Sequence, residues 1–227
     1  MLTERLVRAA TLARIADRWP ENPDTLVVEE MGIHFGAARV DVAVVNGALH
    51  GFEIKSDADR LGRLPGQALA YSQVFDYMTV VVTTRLLSGA VEIVPDWWGV
   101  IEATENERTE AAILKERRRG RRNPSASPTA VAGLLWREEL LAALESVGAS
   151  VGVRTSDRVT LQHRLAEVLS SEELGSAVRS TIRARRGWRE RPAHGPNGEP
   201  CSPRHTSSRF LDRRFQSRLR SSTHRPG

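Results

Sequence analysis

Two acidic residues and a lysine in the first quarter of the chain have the types and spacing of a metal-dependent site. Asp41 lies in the strand-like run ARVDVAVV, and Glu53 and Lys55 lie two residues apart in the run LHGFEIK. Of the 33 basic side chains among 227 residues, only Lys55 and Lys115 are lysines. Carboxylate oxygens suit Mg²⁺ or Mn²⁺, and a compact ammonium beside them suits a reacting phosphate or water.

The hydrophobic pattern indicates how these residues meet. In both runs the even-numbered residues are mainly apolar and the odd-numbered residues carry the charges. The two apolar faces can share one core only if residues of equal parity pair across the hairpin. A three-residue loop over 46–48 satisfies this condition and pairs residues whose numbers sum to 94. Asp41 then lies opposite Glu53 with β-carbons about 4.5–5.5 Å apart, where two carboxylates repel unless a cation lies between them.

A structural interpretation of the same residues stays open at this point. The spacing D-x₁₁-E-x-K is a weak pattern by itself. A glutamate and a lysine on one strand face also form an ordinary exposed ion pair. The spacing alone therefore does not separate a metal site from a surface contact.

The surrounding sequence predicts an α/β domain with a mixed central sheet flanked by helices. A helix is predicted over 2–19, and helical structure over 57–77 restarts at Pro65. Strands are predicted over 25–33, 38–45, 49–55, 77–84 and 97–104. The predicted domain covers residues 1–110.

The remainder of the chain has a different composition. A basic linker rich in proline and serine is predicted over residues 111–128. A helical appendage is predicted over residues 129–190, with helices over 129–147 and 157–186. Residues 191–227 predict a disordered, arginine-rich tail. Twelve arginines and three acids give residues 183–227 a charge of +9, so the first 182 residues carry −4 of the total +5. Such a tail is typical of solvated disorder or of nonspecific attraction to nucleic acid.

Composition excludes several other classes of protein. A single cysteine, Cys201, excludes an intramolecular disulfide framework and a cysteine-based zinc site. No apolar run approaches the roughly 20 residues that span a bilayer, so we expect no membrane segment. The charged N-terminus is unlike a secretory signal, and a cytoplasmic, bacterial setting is expected.

With its surroundings included, the sequence resembles the PD-(D/E)XK nuclease superfamily. The similarity rests on RVDVAVVNG, FEIKSD, RLPGQ, YSQVFD and VPDWWG, and it covers roughly residues 1–102. It implies a restriction-endonuclease-like core, in which Asp41 and Glu53 are metal ligands and Lys55 is the catalytic lysine. Further residues implied near the site are Gln67 on the following helix and an additional acid, Glu30 or alternatively Glu4. Val40 replaces the proline of the superfamily motif.

The sequence thus predicts an enzyme that hydrolyses nucleic acid, with DNA the favoured substrate and Mg²⁺ or Mn²⁺ the cofactor. Arg60 and Arg63, one turn apart beyond the site, are candidates for phosphate contact or for simple solvation. The alternative is a non-catalytic nucleic-acid-binding or regulatory module, with 157–186 as a helix-turn-helix. The oligomeric state stays open, a homodimer included.

Overall fold

A computed structural model describes residues 1–20, 24–109 and 111–185 of the chain. The chain divides into two compact units, Met1–Val131 and Ala132–Gly227. The predicted disorder over 191–227 lies outside the described residues. Within the described residues, no helix is both long enough and apolar enough to cross a membrane.

The described residues up to Arg118 of the first unit form a six-stranded sheet and three α-helices. In chain order these are α1 (Glu4–Arg18), β1 (Leu26–Ile33), β2 (Ala38–Val45), β3 (Leu49–Lys55), α2 (Leu64–Ser72), β4 (Tyr77–Thr83), α3 (Leu87–Ile93), β5 (Gly99–Glu105) and β6 (Ala112–Arg118). The strands follow the order β1-β2-β3-β4-β5-β6, with β3, β4 and β5 parallel and the other neighbours antiparallel. The predicted fold class, a mixed sheet flanked by helices, is confirmed.

Helix α1 covers one face of this sheet. Thr3 caps the helix by accepting a hydrogen bond from the Leu6 N–H, and Val7 and Ile15 are buried against the sheet. They pack on apolar residues of the strands, namely Val42, Val44, Phe52, Ile54, Val81, Ile101 and Ala103. On β2 and β3 these are the even-numbered residues, as the sequence pattern predicts.

Helices α2 and α3 connect the parallel strands. Helix α2 leads from β3 to β4, and α3 leads from β4 to β5. Right-handed crossovers of this kind place both helices on one face of a sheet. Tyr71 of α2 is fully buried and reaches Glu53, an odd-numbered residue of β3. The face opposite α1 therefore carries the charged residues of the hairpin, and α2 covers them.

The hairpin has the predicted register. Val45 pairs with Leu49, Val44 with His50, and the remaining pairs also sum to 94. The loop Asn46–Ala48 is closed by a hydrogen bond of 3.1 Å from the Asn46 N–H to the Ala48 carbonyl. The parity argument for a three-residue loop is confirmed.

The predicted linker over 111–128 is wrong for residues 112–118, which form β6. Ala112 and Leu114 pack on the α1 side of the sheet, while Ile113, Lys115 and Arg117 are exposed. This alternation of packed and exposed residues is typical of a strand, and the run of arginines conceals the alternation in the sequence. Arg117 holds the strand in place because its guanidinium binds the buried carboxylate of Glu102 on β5.

The rest of the described chain is helical, as predicted, with α4 (Pro128–Ala132), α5 (Arg137–Ser146), α6 (Arg158–Val168) and α7 (Ser171–Ala184). The N-caps of α6 and α7 are Asp157 and Ser170. Gly148 follows α5 with a φ of +72°, a conformation that favours glycine. Arg185 ends α7 and donates to both carboxylate oxygens of Glu139, at 2.7 and 2.6 Å.

Glu102→Ala is expected to lower the free energy of unfolding by about 1–3 kcal/mol, because Thr84 and Arg117 both donate to this buried carboxylate. Glu116→Ala on β6 is the matched control. Its partner Arg14 is 3.6 Å away and both side chains are about 40% exposed, so the cost should stay within about 0.5 kcal/mol. Urea unfolding followed by tryptophan fluorescence measures both values. Equal effects of the two substitutions would contradict this account of β6.

Candidate functional site

Three neighbouring strands each contribute an acidic residue to one row of residues that runs across the sheet. The β1–β2 register pairs Glu29 with Val42 and Met31 with Val40, which leaves Glu30 opposite Asp41. Asp41 and Glu53 lie one residue beyond the last β2–β3 pair, Val42–Phe52, so the row extends to β3. The hairpin therefore places the two predicted metal ligands on adjacent strands, with a third carboxylate beside them.

Glu30 holds its place through an unusual backbone conformation. Its φ is +55°, in the left-handed region, which costs a non-glycine residue about 1–2 kcal/mol. On β1 the buried residues are Val28 and Met31, three apart, so the strict alternation breaks at Glu30. The break leaves the Glu30 side chain close to Asp41. Strain of this kind persists where the surroundings over-determine the conformation and is common at functional sites.

Glu4 of α1 completes an acidic cluster with these residues. One carboxylate oxygen each from Glu4, Glu30 and Asp41 lies within 4.8 Å of the others. The sequence left open whether Glu30 or Glu4 supplies the additional acid, and the structure brings both to Asp41. A set of carboxylate oxygens at this spacing is chemically suited to Mg²⁺ or Mn²⁺.

The Asp41 carboxylate also ends the pairing of β2 with β3. Its Oδ2 accepts a hydrogen bond of 2.7 Å from the Ile54 N–H, the amide that faces β2. The backbone ladder between the two strands stops at Val42 and Phe52, one residue before Asp41. The strand ends therefore separate at the point where the acidic residues meet.

Glu53 lies in a buried network with three donors. Its carboxylate is 2.6 Å from the Lys55 ammonium, 2.6 Å from the Gln67 amide nitrogen and 2.9 Å from the Tyr71 hydroxyl. Glu53 is 2% exposed and Lys55 4%. This burial excludes the interpretation of Glu53 and Lys55 as an exposed cross-strand ion pair.

The Gln67 side chain has one unused acceptor. Its Oε1 is buried and has no hydrogen-bond partner among the described residues. The amide belongs to the lining of the same cleft as Asp41 and Glu53. A buried oxygen in this position fits a site that receives a further cation or water.

The pKa of Asp41 is raised to about 6. Burial of the carboxyl group is the main cause, and the negative charge of Glu53 is the second. The Ile54 N–H, Arg8 and Lys55 oppose this increase. Burial and the charge of Glu53 also raise the pKa of Tyr71 well above its usual value, so its hydroxyl stays protonated as a donor.

These groups line an open cleft of about 1020 Å³. Of the two arginines that the sequence offered for phosphate contact, Arg63 lines this cleft, whereas Arg60 is exposed and does not. Gln67 also lines it, as expected for a residue on the helix after β3. Glu4, Glu30, Asp41 and Glu53 all line this cleft.

Sequence analysis missed two residues of the site, Arg8 and Tyr71. Arg8 follows Glu4 by one helical turn, and Tyr71 follows Gln67 by one turn. Arg8 therefore lies on the same helix face as Glu4, and Tyr71 on the same face as Gln67. This spacing from a candidate site residue could have indicated both.

Comparison with known proteins assigns the chain to a family. A model of the family described as bacteriophage P4 protein cII matches residues 1–191. The chain belongs to this family. Protein cII of Enterobacteria phage P4 is 36% identical over 83 residues, which are 37% of this chain and 31% of the phage protein. The chain thus spans about a third of the relative that it matches.

Among solved structures, one similar chain is that of SfsA from Pyrococcus furiosus, determined in complex with Ca²⁺. The TM-score is 0.29 and the identity 14%, over 51% of this chain and 63% of that one. A similarity this low transfers no property to this member of the cII family.

The raised pKa of Asp41 predicts a pH-dependent stability without divalent metal. Because the folded state binds this proton more tightly than the unfolded state does, the contribution of Asp41 to stability should be lost as the pH rises from about 4 to about 6. Asp41→Asn removes the titrating group, so its stability relative to wild type should rise over this interval. Urea unfolding with chelator at both ends of the interval measures the difference.

Asp96→Asn is the control, because Asp96 is 93% exposed. The stability of Asp96→Asn relative to wild type is the reference for the removal of one exposed charge. A stability difference that varies no more with pH for Asp41→Asn than for Asp96→Asn would contradict the raised pKa of Asp41.

Proposed function

We propose that this protein is a metal-dependent nuclease that hydrolyses phosphodiester bonds of nucleic acid, with DNA the favoured substrate. The observation that carries this proposal is the buried Lys55–Glu53 pair one strand away from the Asp41 cluster. A buried ion pair is seldom more stable than apolar residues of the same volume, so stability alone does not explain it. The resemblance of Asp41, Glu53 and Lys55 to the PD-(D/E)XK motif supports the same function.

The acidic residues are the groups that would hold Mg²⁺ or Mn²⁺. Asp41 is central because it lies between Glu30 on β1 and Glu53 on β3, and Glu4 approaches it from α1. When bound, such an ion polarises a phosphoryl oxygen and makes water more acidic.

Lys55 is the group that would act on the substrate directly. Its ammonium is held 2.6 Å from Glu53, so its position is fixed before any substrate binds. Such a cation can hold the attacking water or neutralise the charge that develops on the phosphate. A lysine suits this role because it is a compact charge on a flexible stem.

Two residues of α2 position Glu53. The Gln67 amide and the Tyr71 hydroxyl both contact its carboxylate, and Tyr71 also lies 2.6 Å from the Arg39 carbonyl on β2. The network thus ties α2 to two strands. At the mouth of the cleft, Arg63 is a candidate for contact with a substrate phosphate.

The alternative, a helix-turn-helix over 157–186, has less support. Helices α6 and α7 are separated by Leu169 and Ser170 alone, a shorter turn than the three or four residues usual for this motif. The first turn of α7 carries Glu172 and Glu173. A recognition helix points this end at the bases, where carboxylates would repel the phosphate backbone.

Asp41→Asn and Lys55→Ala should each lower Mg²⁺-dependent cleavage of plasmid or linear DNA by roughly two to four orders of magnitude. The two variants should differ in metal binding. Lys55→Ala should keep the increase in melting temperature that excess Mn²⁺ gives the wild type, whereas Asp41→Asn should lose it. Cleavage assays with metal or chelator, run beside thermal melts, measure both effects.

Glu92→Gln is the control for charge, because Glu92 is an exposed acid on α3 outside the cleft lining. It should cleave at the wild-type rate. Cleavage that persists in Asp41→Asn, or that proceeds equally well with chelator, would contradict the proposed function.

A further inference from the structure

The guanidinium of Arg8 lies at the centre of the acidic cluster. Its Nη2 is 2.7 Å from Glu4, 2.8 Å from Glu30 and 3.1 Å from Asp41, in each case measured to a carboxylate oxygen. Its Nη1 is 3.1 Å from the Asp41 carbonyl and 3.7 Å from Glu29. The Arg8 side chain is only 16% exposed. One side-chain cation thus binds the acids that surround Asp41 on the α1 side.

This position is the one that a metal ion would need. Mg²⁺ binds carboxylate oxygens at about 2.0–2.1 Å. An ion shared by these three oxygens would therefore occupy nearly the same position as Nη2 of Arg8. Two cations so close together repel strongly. Arg8 and a metal ion therefore cannot use the three oxygens at the same time.

Displacement of Arg8 requires movement of its side chain only. The backbone of α1 is fixed by Val7 and Ile15, which are buried in the core below it. Glu4 and Arg8 are one turn apart on the helix, so the guanidinium can swing away while both residues keep their backbone positions.

We propose that Arg8 is a tethered competitor of the metal ion, which neutralises the acidic cluster until a divalent cation displaces it. Arg8 then sets the metal concentration at which the site fills. This inference rests on the proposed function, because it concerns the metal that the same acids would hold. It adds a regulatory role for a residue outside the D-E-K motif.

Titration with Mn²⁺ alone, without nucleic acid, tests the proposal on the full chain. Arg8→Gln keeps polarity and removes the competing charge, so it should bind Mn²⁺ at least about tenfold more tightly than wild type by calorimetry. Mn²⁺ should also raise its melting temperature more than that of the wild type. Arg14→Gln on the same helix is the control and should match the wild type, since Arg14 pairs with the exposed Glu116 outside the cluster. An Mn²⁺ affinity of Arg8→Gln equal to or below that of the wild type would overturn the proposal.

A second measurement follows the wild type itself and does not depend on folding of Arg8→Gln. The side-chain Nε–Hε resonance of Arg8, assigned through its loss in Arg8→Lys, should shift as diamagnetic Mg²⁺ is added and follow the same saturation curve as the backbone amide of Asp41. An Arg8 resonance that stays in place while the Asp41 amide saturates would contradict displacement.

The outcomes separate the two proposals. Metal-dependent cleavage with unchanged Mn²⁺ affinity in Arg8→Gln would overturn the role of Arg8 and leave the nuclease proposal intact. An absence of Mn²⁺ binding in both proteins, together with no cleavage, would overturn both.

Discussion

The hydrogen bond from the Ile54 amide to the Asp41 carboxylate is the interaction on which the site depends. It replaces a backbone contact between β2 and β3, so these strands separate just beyond the pair Val42–Phe52. Because one carboxylate oxygen is fixed in this way, the other is directed towards Glu4, Glu30 and Arg8. Burial in this position is also the main cause of the raised pKa of Asp41. The contact thus marks where the strands separate and fixes the carboxylate, and it favours the charged form of Asp41 against the effect of burial.

Much of this arrangement could be predicted from the sequence, because strand parity is a strict constraint. A three-residue loop keeps the apolar residues of β2 and β3 on one face, and the resulting register leaves Asp41 and Glu53 one residue beyond the last pair, Val42–Phe52. The prediction failed where local composition concealed the alternation of packed and exposed residues that marks a strand. In β6, the exposed arginines give the segment the composition of a linker. Helix α3 was missed for a similar reason: LSGAVEI is short, and its glycine and β-branched residues are weak helix formers.

The contents of the site were harder to predict than its location. Parity assigns residues to a face, but it does not show which side chains from distant elements reach that face. Glu4 and Arg8 come from α1, and they meet Asp41 where the strand ends separate. The position of Glu30 depends on a left-handed backbone, for which a glutamate gives no sequence signal. These features follow from tertiary packing, so a single sequence does not reveal them.

The two sides of Asp41 differ in the freedom of their charged groups. Glu53 and Lys55 are almost fully buried, and Tyr71 and Gln67 restrain them from a covering helix. Glu4 and Glu30 are about half exposed, and their partner Arg8 is joined to the backbone only through a flexible side chain. A pre-organised lysine needs the first environment, because its position must not change between substrates. An exchangeable cation needs the second, because water must reach the carboxylates as one positive charge replaces another. Both requirements are met at one end of neighbouring strands, since Asp41 lies between the two groups.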